Sequence, residues 1–241
     1  MLSRYQKLLR RRALSLHDVA MVAADTTRTK YYIEELIKNG LSPHYVLLLV
    51  NSGELLPGQK EAKSENTLIT LLKDADVKYD VAPNRDINSE DVIAAIAKRP
   101  EQVFIFSGYG GVLLKELILD TGKKFLHIHG GYLPDYKGST TNYYSLIDEN
   151  AIGASAIFLT KEIDCGPIIL RKKFSAPADR TAIDHNSDSE ARAKVLIECL
   201  QNYVNSGDWE YELENNHGGE TFYIIHPVLK HLAILGKDSL Q

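Results

Sequence analysis

Short apolar runs alternate with polar, helix-like segments through the first half of the chain. Asp18 to Ala24 (DVAMVAA), Tyr45 to Val50 (YVLLLV) and Val103 to Phe106 (VFIF) read as strands buried on both faces, and Val77 to Val81 as a weaker one. Between them, Thr26 to Asn39 reads as a helix closed by Gly40, and Thr67 to Leu72 as a short helix. Ser89 to Lys98 is a third, with Glu90 and Asp91 in its first turn, Lys98 and Arg99 in its last and Pro100 as its stop. Asn51 to Lys63 is a loop by its glycine and proline content. Phe125 to His129 alternates instead, with Leu126 and Ile128 on one face and His127 and His129 on the other. Ala154 to Leu159 and Ile168 to Lys172 read as two further strands. Ser187 and Glu190 form a capping box opening a helix to about Val204, and Leu229 to Leu235 a short helix that packs back on the rest. Strands alternating with helices at this spacing imply βαβ units, an α/β class and a mostly parallel sheet. The expected organisation is one catalytic domain over residues 1–205, with residues 206–241 as a short appendage on it.

Composition narrows the function classes. At 241 residues, 44% hydrophobic and 25% charged, the chain is of ordinary globular make-up and long enough for a real core. A net charge of −4 gives no reason to expect a nucleic-acid partner. Arg4, Lys7, Arg10, Arg11 and Arg12 form a local basic cluster, read as the solvated face of an amphipathic helix. Two cysteines, Cys165 and Cys199, supply neither a disulfide framework nor a cysteine-rich metal motif, which fits a cytoplasmic setting. No run approaches the roughly 18 apolar residues of a membrane helix, so no membrane association is expected.

The candidate chemistry concentrates between Phe125 and Lys173. Two imidazoles on one strand face run into Gly130-Gly131, at the kind of strand end where open α/β sheets keep their sites. A loop from Thr160 to Gly166 can return the Asp164 carboxylate to them. A carboxylate beside a histidine orients the ring and favours the imidazolium, as acid/base work near neutral pH requires. The same His-x-His plus Asp is also a workable metal-ligand set. The glycine loop Ser107-Gly108-Tyr109-Gly110-Gly111 does not match GxGxxG, and Ala24-Asp25-Thr26 has no glycine, so no dinucleotide site of the usual kind is expected.

Three of these segments together resemble the 10-formyltetrahydrofolate-dependent formyltransferase superfamily. Its members share a strand-borne Asn-x-His, a Leu-Pro-x-[Tyr/Trp]-[Arg/Lys]-Gly loop and an Asp-x-Gly turn. Here they stand as His127-Ile128-His129, Leu133-Pro134-Asp135-Tyr136-Lys137-Gly138 and Asp164-Cys165-Gly166. The resemblance implies a Rossmann-like, mostly parallel sheet with helices on both faces, the formyltransferase fold. It further implies His129 as catalytic histidine, Asp164 as the carboxylate that positions it, and 10-formyltetrahydrofolate as the donor. Tyr109, Gly110, Gly111, Val112 and Leu113 would face the folate, with Thr160 and Ile163 on the other wall of the pterin pocket. The chain departs from the family where His127 replaces the asparagine that helps bind the oxyanion; a histidine ring nitrogen can also donate there, with different reach.

Among family members, methionyl-tRNA formyltransferase carries a further C-terminal domain of roughly a hundred residues, for which too little chain remains here. The ribonucleotide enzyme opens with a glycine-rich phosphate loop that Asp25-Thr26-Thr27-Arg28 does not reproduce, and the deformylases carry a regulatory domain ahead of the catalytic one. The expectation is therefore an N-formyltransferase acting on a small-molecule amine, an amino sugar either free or nucleotide-linked. Ser139, Thr140, Thr141 and Tyr143 would line the acceptor site, with no metal, and with a homodimer left open. The alternatives are a formyltetrahydrofolate hydrolase and a metal-dependent hydrolase built on His127, His129 and Asp164.

Overall fold

The computed structural model describes residues 16–50, 67–184, 186–212 and 216–236. The basic N-terminal cluster and the Asn51 to Lys63 loop lie outside the described residues. The chain divides into two compact units, Met1–Leu126 and His127–Gln241, and strand β5 (Lys124–His129) passes from one into the other.

In the first unit, β1 (Val19–Ala24) is buried at every position and lies between two parallel partners, β2 (Tyr45–Leu49) and β4 (Val103–Ser107), also buried throughout. A strand flanked on both sides by parallel neighbours has no solvated face, which is why these segments read as continuous apolar runs. β3 (Tyr79–Val81) pairs with β2, and the start of β5 pairs with β4, both in parallel. Helix α1 (Thr27–Lys38) starts where the Thr26 side chain accepts a hydrogen bond from Thr29 N, and it ends at Asn39 before Gly40 at φ 65°. Tyr32, Ile33 and Leu36 form its buried stripe. Helix α2 (Thr67–Asp74) follows. Helix α3 (Glu90–Ala97) is capped by Ser89, whose hydroxyl accepts from Val92 N, and α4 (Glu116–Leu119) is a single turn absent from the sequence-based expectation.

At the start of β4, the fully buried carboxylate of Glu101 is gripped by Arg99 through two bonds of 2.8 and 3.0 Å and by His44 Nδ1 at 2.7 Å. Burial alone would raise its pKa, but Arg99, a backbone amide and His44 outweigh that and hold it at about 2, against 4.5 for a free glutamate. A depressed carboxylate pKa contributes stability above the unfolded value and loses it as the pH falls toward the folded one. The pair of values corresponds to about 3 kcal/mol. Denaturant unfolding of wild type and Glu101→Gln should therefore differ most above about pH 4.5 and converge toward pH 2. A difference that stays constant over that range would refute this account.

In the second unit, β7 (Ala151–Phe158) pairs antiparallel with β8 (Ile168–Ser175), with a register shift between Ala156 and Ile157. Because β5 belongs to both descriptions, the hydrogen-bonded order reads β3-β2-β1-β4-β5-β7-β8, a mostly parallel α/β sheet of seven strands. The Leu-Pro-Asp-Tyr-Lys-Gly loop ends in a short strand, β6 (Tyr136–Gly138), paired in parallel with β9 (Glu220–Phe222). Helix α5 (Thr141–Glu149) follows β6, α6 (Ser187–Ser206) follows β8, and α7 (Pro227–Leu235) packs against α5. The start of α6 differs from the capping-box expectation. Asn186 occupies the cap without a side-chain bond and Ser187 is already helical. At this start Asp188 receives a tertiary bond from Asn142 Nδ2 at 2.7 Å and, within the helix, Arg192 Nε at 2.8 Å. Among the described residues, no helix is long and apolar enough to cross a membrane.

Candidate active site

His127 and His129 stand at the C-terminal end of β5, the first partly exposed and the second buried. Nε2 of His129 lies 2.7 Å from the carbonyl oxygen of Tyr136. A carbonyl can only accept, so Nε2 carries the hydrogen and Nδ1 is the bare nitrogen of the neutral ring. Nδ1 faces Oδ1 of Asp164 at 3.4 Å, with both side chains almost wholly buried. The other carboxylate oxygen, Oδ2, accepts the Gly138 amide at 2.8 Å. Burial lowers the His129 pKa and the Arg192 charge adds to this, while Asp164, the Tyr136 carbonyl and Asp188 work against it. The pair is thus a base whose proton-accepting nitrogen points at a carboxylate able to stabilise the imidazolium once it forms.

The loop between the motifs holds this geometry. Tyr136 is fixed by its hydroxyl, which lies within hydrogen-bond reach of Asp148 and Glu149, so its carbonyl is a rigid partner for His129. Ser155 donates to the Gly131 carbonyl at 2.7 Å and accepts the Leu133 amide at 3.0 Å, and Arg171 donates to the Leu133 carbonyl at 2.6 Å. Behind the strand, Arg192 Nη1 donates to the Ile128 carbonyl at 2.8 Å.

The Asp164 turn is fastened from below. Asp164 sits at φ 54°, a conformation aspartate and asparagine tolerate better than most residues. Gly166 lies so close to the Phe158 carbonyl that an added Cβ would stand 1.7 Å from its oxygen. Asn216, buried in the C-terminal segment, donates from Nδ2 to the carbonyls of Asp164, at 3.1 Å, and Gly166. The Asn216 carbonyl accepts Lys137 Nζ at 3.1 Å, and that buried ammonium also lies 3.6 Å from Cys165 Sγ. Sequence reasoning passed over Asn216 and Arg192. The bonds that tie them to the site, Arg192 to the Ile128 carbonyl and Asn216 to the Asp164 and Gly166 carbonyls, span 50 or more residues.

The residues expected around the acceptor divide by exposure. Ser139 and Thr140 are partly accessible, and Thr140, at φ 52°, accepts the Ile225 amide through its hydroxyl at 2.9 Å. Thr141 is buried and its hydroxyl donates to the Gly130 carbonyl. Tyr143 is buried too; desolvation and Asp184 push its hydroxyl up to about 12, and Lys230 lies 4.7 Å from its ring centre. Thr141 and Tyr143 thus hold the loop in place and do not offer an open surface. Thr160 and Ile163 flank the Asp164 turn, with Ile163 48% exposed.

In the first unit, the Tyr109 to Leu113 loop follows β4. Tyr109 donates to the Leu49 carbonyl at 2.7 Å under the Arg85 guanidinium, and Asn88 brackets the far end by bonding Leu113 O and Lys115 N. Val112 and Leu113 are 38% and 57% exposed, and a Cβ added at Gly110 or Gly111 would meet nothing within 4 Å.

Residues 18–199 match the family described as Formyl transferase. The chain belongs to that family. The fold agrees with solved formyl transferases. A sugar N-formyltransferase from Shewanella sp FDAARGOS_354 superimposes with TM-score 0.59 at 15% identity, over 90% of this chain and 86% of that one. The N-formyltransferase from Helicobacter canadensis, solved with folinic acid and dTDP-3-aminofucose, gives 0.56 at 17% identity, over 86% and 70%. By sequence, the methionyl-tRNA formyltransferase of Desulforamulus reducens is 28% identical over 126 residues, which is 52% of this formyl transferase and 39% of that one. The chain spans less than half the length of the first such relatives it matches.

Proposed function

We propose that this formyl transferase moves a formyl group from 10-formyltetrahydrofolate to the amine of a small molecule, an amino sugar either free or nucleotide-linked. The observation that carries the proposal is the bare Nδ1 of His129, aimed at Asp164 by the bond from Nε2 to the Tyr136 carbonyl. The residues on hand suit the donor. In the first unit, Val112 and Leu113 present apolar surface of the kind a flat pterin covers, and Gly110 and Gly111 leave the loop backbone open to close approach. When bound, 10-formyltetrahydrofolate supplies an electrophilic formyl group carried on nitrogen. His129 Nδ1 would take the proton that the attacking amine sheds, and Asp164 Oδ1 would stabilise the imidazolium until that proton is handed to the carrier nitrogen as its bond to the formyl carbon breaks. His127 donates from a ring nitrogen toward the negative charge that develops on oxygen.

An amino-sugar acceptor is supported by the structural relatives. Those sharing most of both chains with this one include sugar N-formyltransferases, and one N-formyltransferase among them was solved with a nucleotide-linked amino sugar. The test is a panel of free and nucleotide-linked amino sugars incubated with 10-formyltetrahydrofolate and read by mass. One class should gain a single formyl group. Formate released at equal rate with or without any amine would replace transfer by hydrolysis, and no turnover on any amine would sink the proposal.

A further inference from the structure

His127, His129 and Asp164 each offer one ligand atom, and these atoms all lie within 4.8 Å of one another. The 3.4 Å between His129 Nδ1 and Asp164 Oδ1 is long for a charge-assisted hydrogen bond, which closes to about 2.7–2.9 Å. It equals the edge of a tetrahedron around zinc, since ligand atoms about 2.0–2.1 Å from the ion stand roughly 3.4 Å apart. The outer partners match those of a metal site as well. A ligating histidine hands its second ring N–H to a backbone carbonyl, as His129 does to Tyr136, and a ligating carboxylate is itself hydrogen-bonded, as Asp164 is by the Gly138 amide. His127 is partly exposed on the same strand face, with a ring nitrogen within 4.8 Å of the other two ligand atoms.

We propose that His127, His129 and Asp164 bind one divalent ion of the zinc class through two imidazole nitrogens and one carboxylate oxygen, with solvent completing the shell. The departure from the motif decides this. An asparagine at position 127 would offer an amide oxygen, a weak ligand for such an ion, where imidazole is a strong one. The consequence for catalysis rests on the proposed formyl transfer. The ion occupies Nδ1 and Oδ1, the two atoms between which the proton is handled, so metal-loaded protein does not transfer formyl and a chelator restores the reaction.

The binding claim is tested without any acceptor or folate. The full chain, stripped with chelator, competes for Zn2+ against a chromophoric chelator at neutral pH, beside His127→Asn and Asp164→Asn, with circular dichroism as the check on folding. Wild type should take up one equivalent, and both variants should bind roughly 100-fold more weakly or worse, at least matching the cost of losing an outer-shell partner. Co2+ in wild type should give the visible absorption of a four- or five-coordinate site, and His127→Asn should lose it. Substoichiometric uptake by wild type, or equal affinity in wild type and His127→Asn, overturns the proposal. Failure of the formyl-transfer reading shows separately, as absent product from metal-free protein whatever its zinc affinity.

Discussion

Asp164→Asn should lower the rate of formyl transfer by roughly 10²- to 10⁴-fold, the range general acid/base catalysis contributes, with the fold retained. Asparagine suits the test because Asp164 sits at φ 54°, where asparagine is also tolerated. Its side-chain oxygen can keep the bond from the Gly138 amide, now 2.8 Å to Oδ2. The new amide nitrogen then replaces Oδ1 opposite His129 Nδ1, where the present spacing is 3.4 Å. An NH2 group can only donate there. It therefore caps the lone pair that takes the proton, and it no longer stabilises the imidazolium. The loss should fall on kcat in single-turnover measurements at saturating donor and acceptor, with KM little changed, because the carboxylate acts in the transition state and not in binding. A variant that keeps wild-type kcat would show that the carboxylate does not manage the proton.

The His129 tautomer was beyond the reach of the sequence, although His129 and Asp164 themselves were not. His129 and Asp164 were placed together by their motifs, 35 positions apart, and they meet in the structure. Which nitrogen is bare depends on a backbone carbonyl, that of Tyr136, and main-chain groups leave no trace in residue types. The buried strands were legible for a simple reason: β1, β2 and β4 have no solvated face, so their apolar runs are unbroken. The helix starts near Thr26 and Ser89 were legible because the signals that open a helix are local chemistry. The pairing of β6 with β9 was not, since two three-residue strands over 80 positions apart carry no periodicity to read. The bonds of Asn216 to Asp164, of Asn142 to Asp188 and of Arg192 to the Ile128 carbonyl escaped for the same reason. These distant contacts set the precision of the site, while the motifs set its identity.

Gly131→Ala should damage both the stability of the site and its chemistry. A Cβ built at Gly131 would stand 2.6 Å from the Tyr136 carbonyl oxygen, 2.7 Å from His129 Nε2 and 2.9 Å from Thr141 Oγ1. The first two are the ends of the hydrogen bond that fixes the His129 tautomer, so the methyl wedges into that bond. None of the three atoms can easily give way. Tyr136 is held through its hydroxyl to Asp148 and Glu149, the Thr141 hydroxyl donates to the Gly130 carbonyl, and the imidazole is buried against Asp164. Overpacking of this kind costs about 1–3 kcal/mol, and freeing the ring to rotate removes the aim of Nδ1. Gly131→Ala should therefore lower the thermal midpoint and reduce turnover by at least roughly 100-fold, since a misplacement of about 1 Å can cost that much. Gly110→Ala is the control for stability, because a Cβ there meets nothing within 4 Å; its unfolding free energy should stay within about 0.5 kcal/mol of wild type. The ring itself reports the difference. In wild type the proton NMR signal of the Nε2–H, bonded to Tyr136 and shielded from solvent, should be visible and slow to exchange, and in Gly131→Ala it should shift and broaden. A variant that loses stability but keeps that signal and its turnover would show that the Tyr136 carbonyl does not aim the catalytic nitrogen.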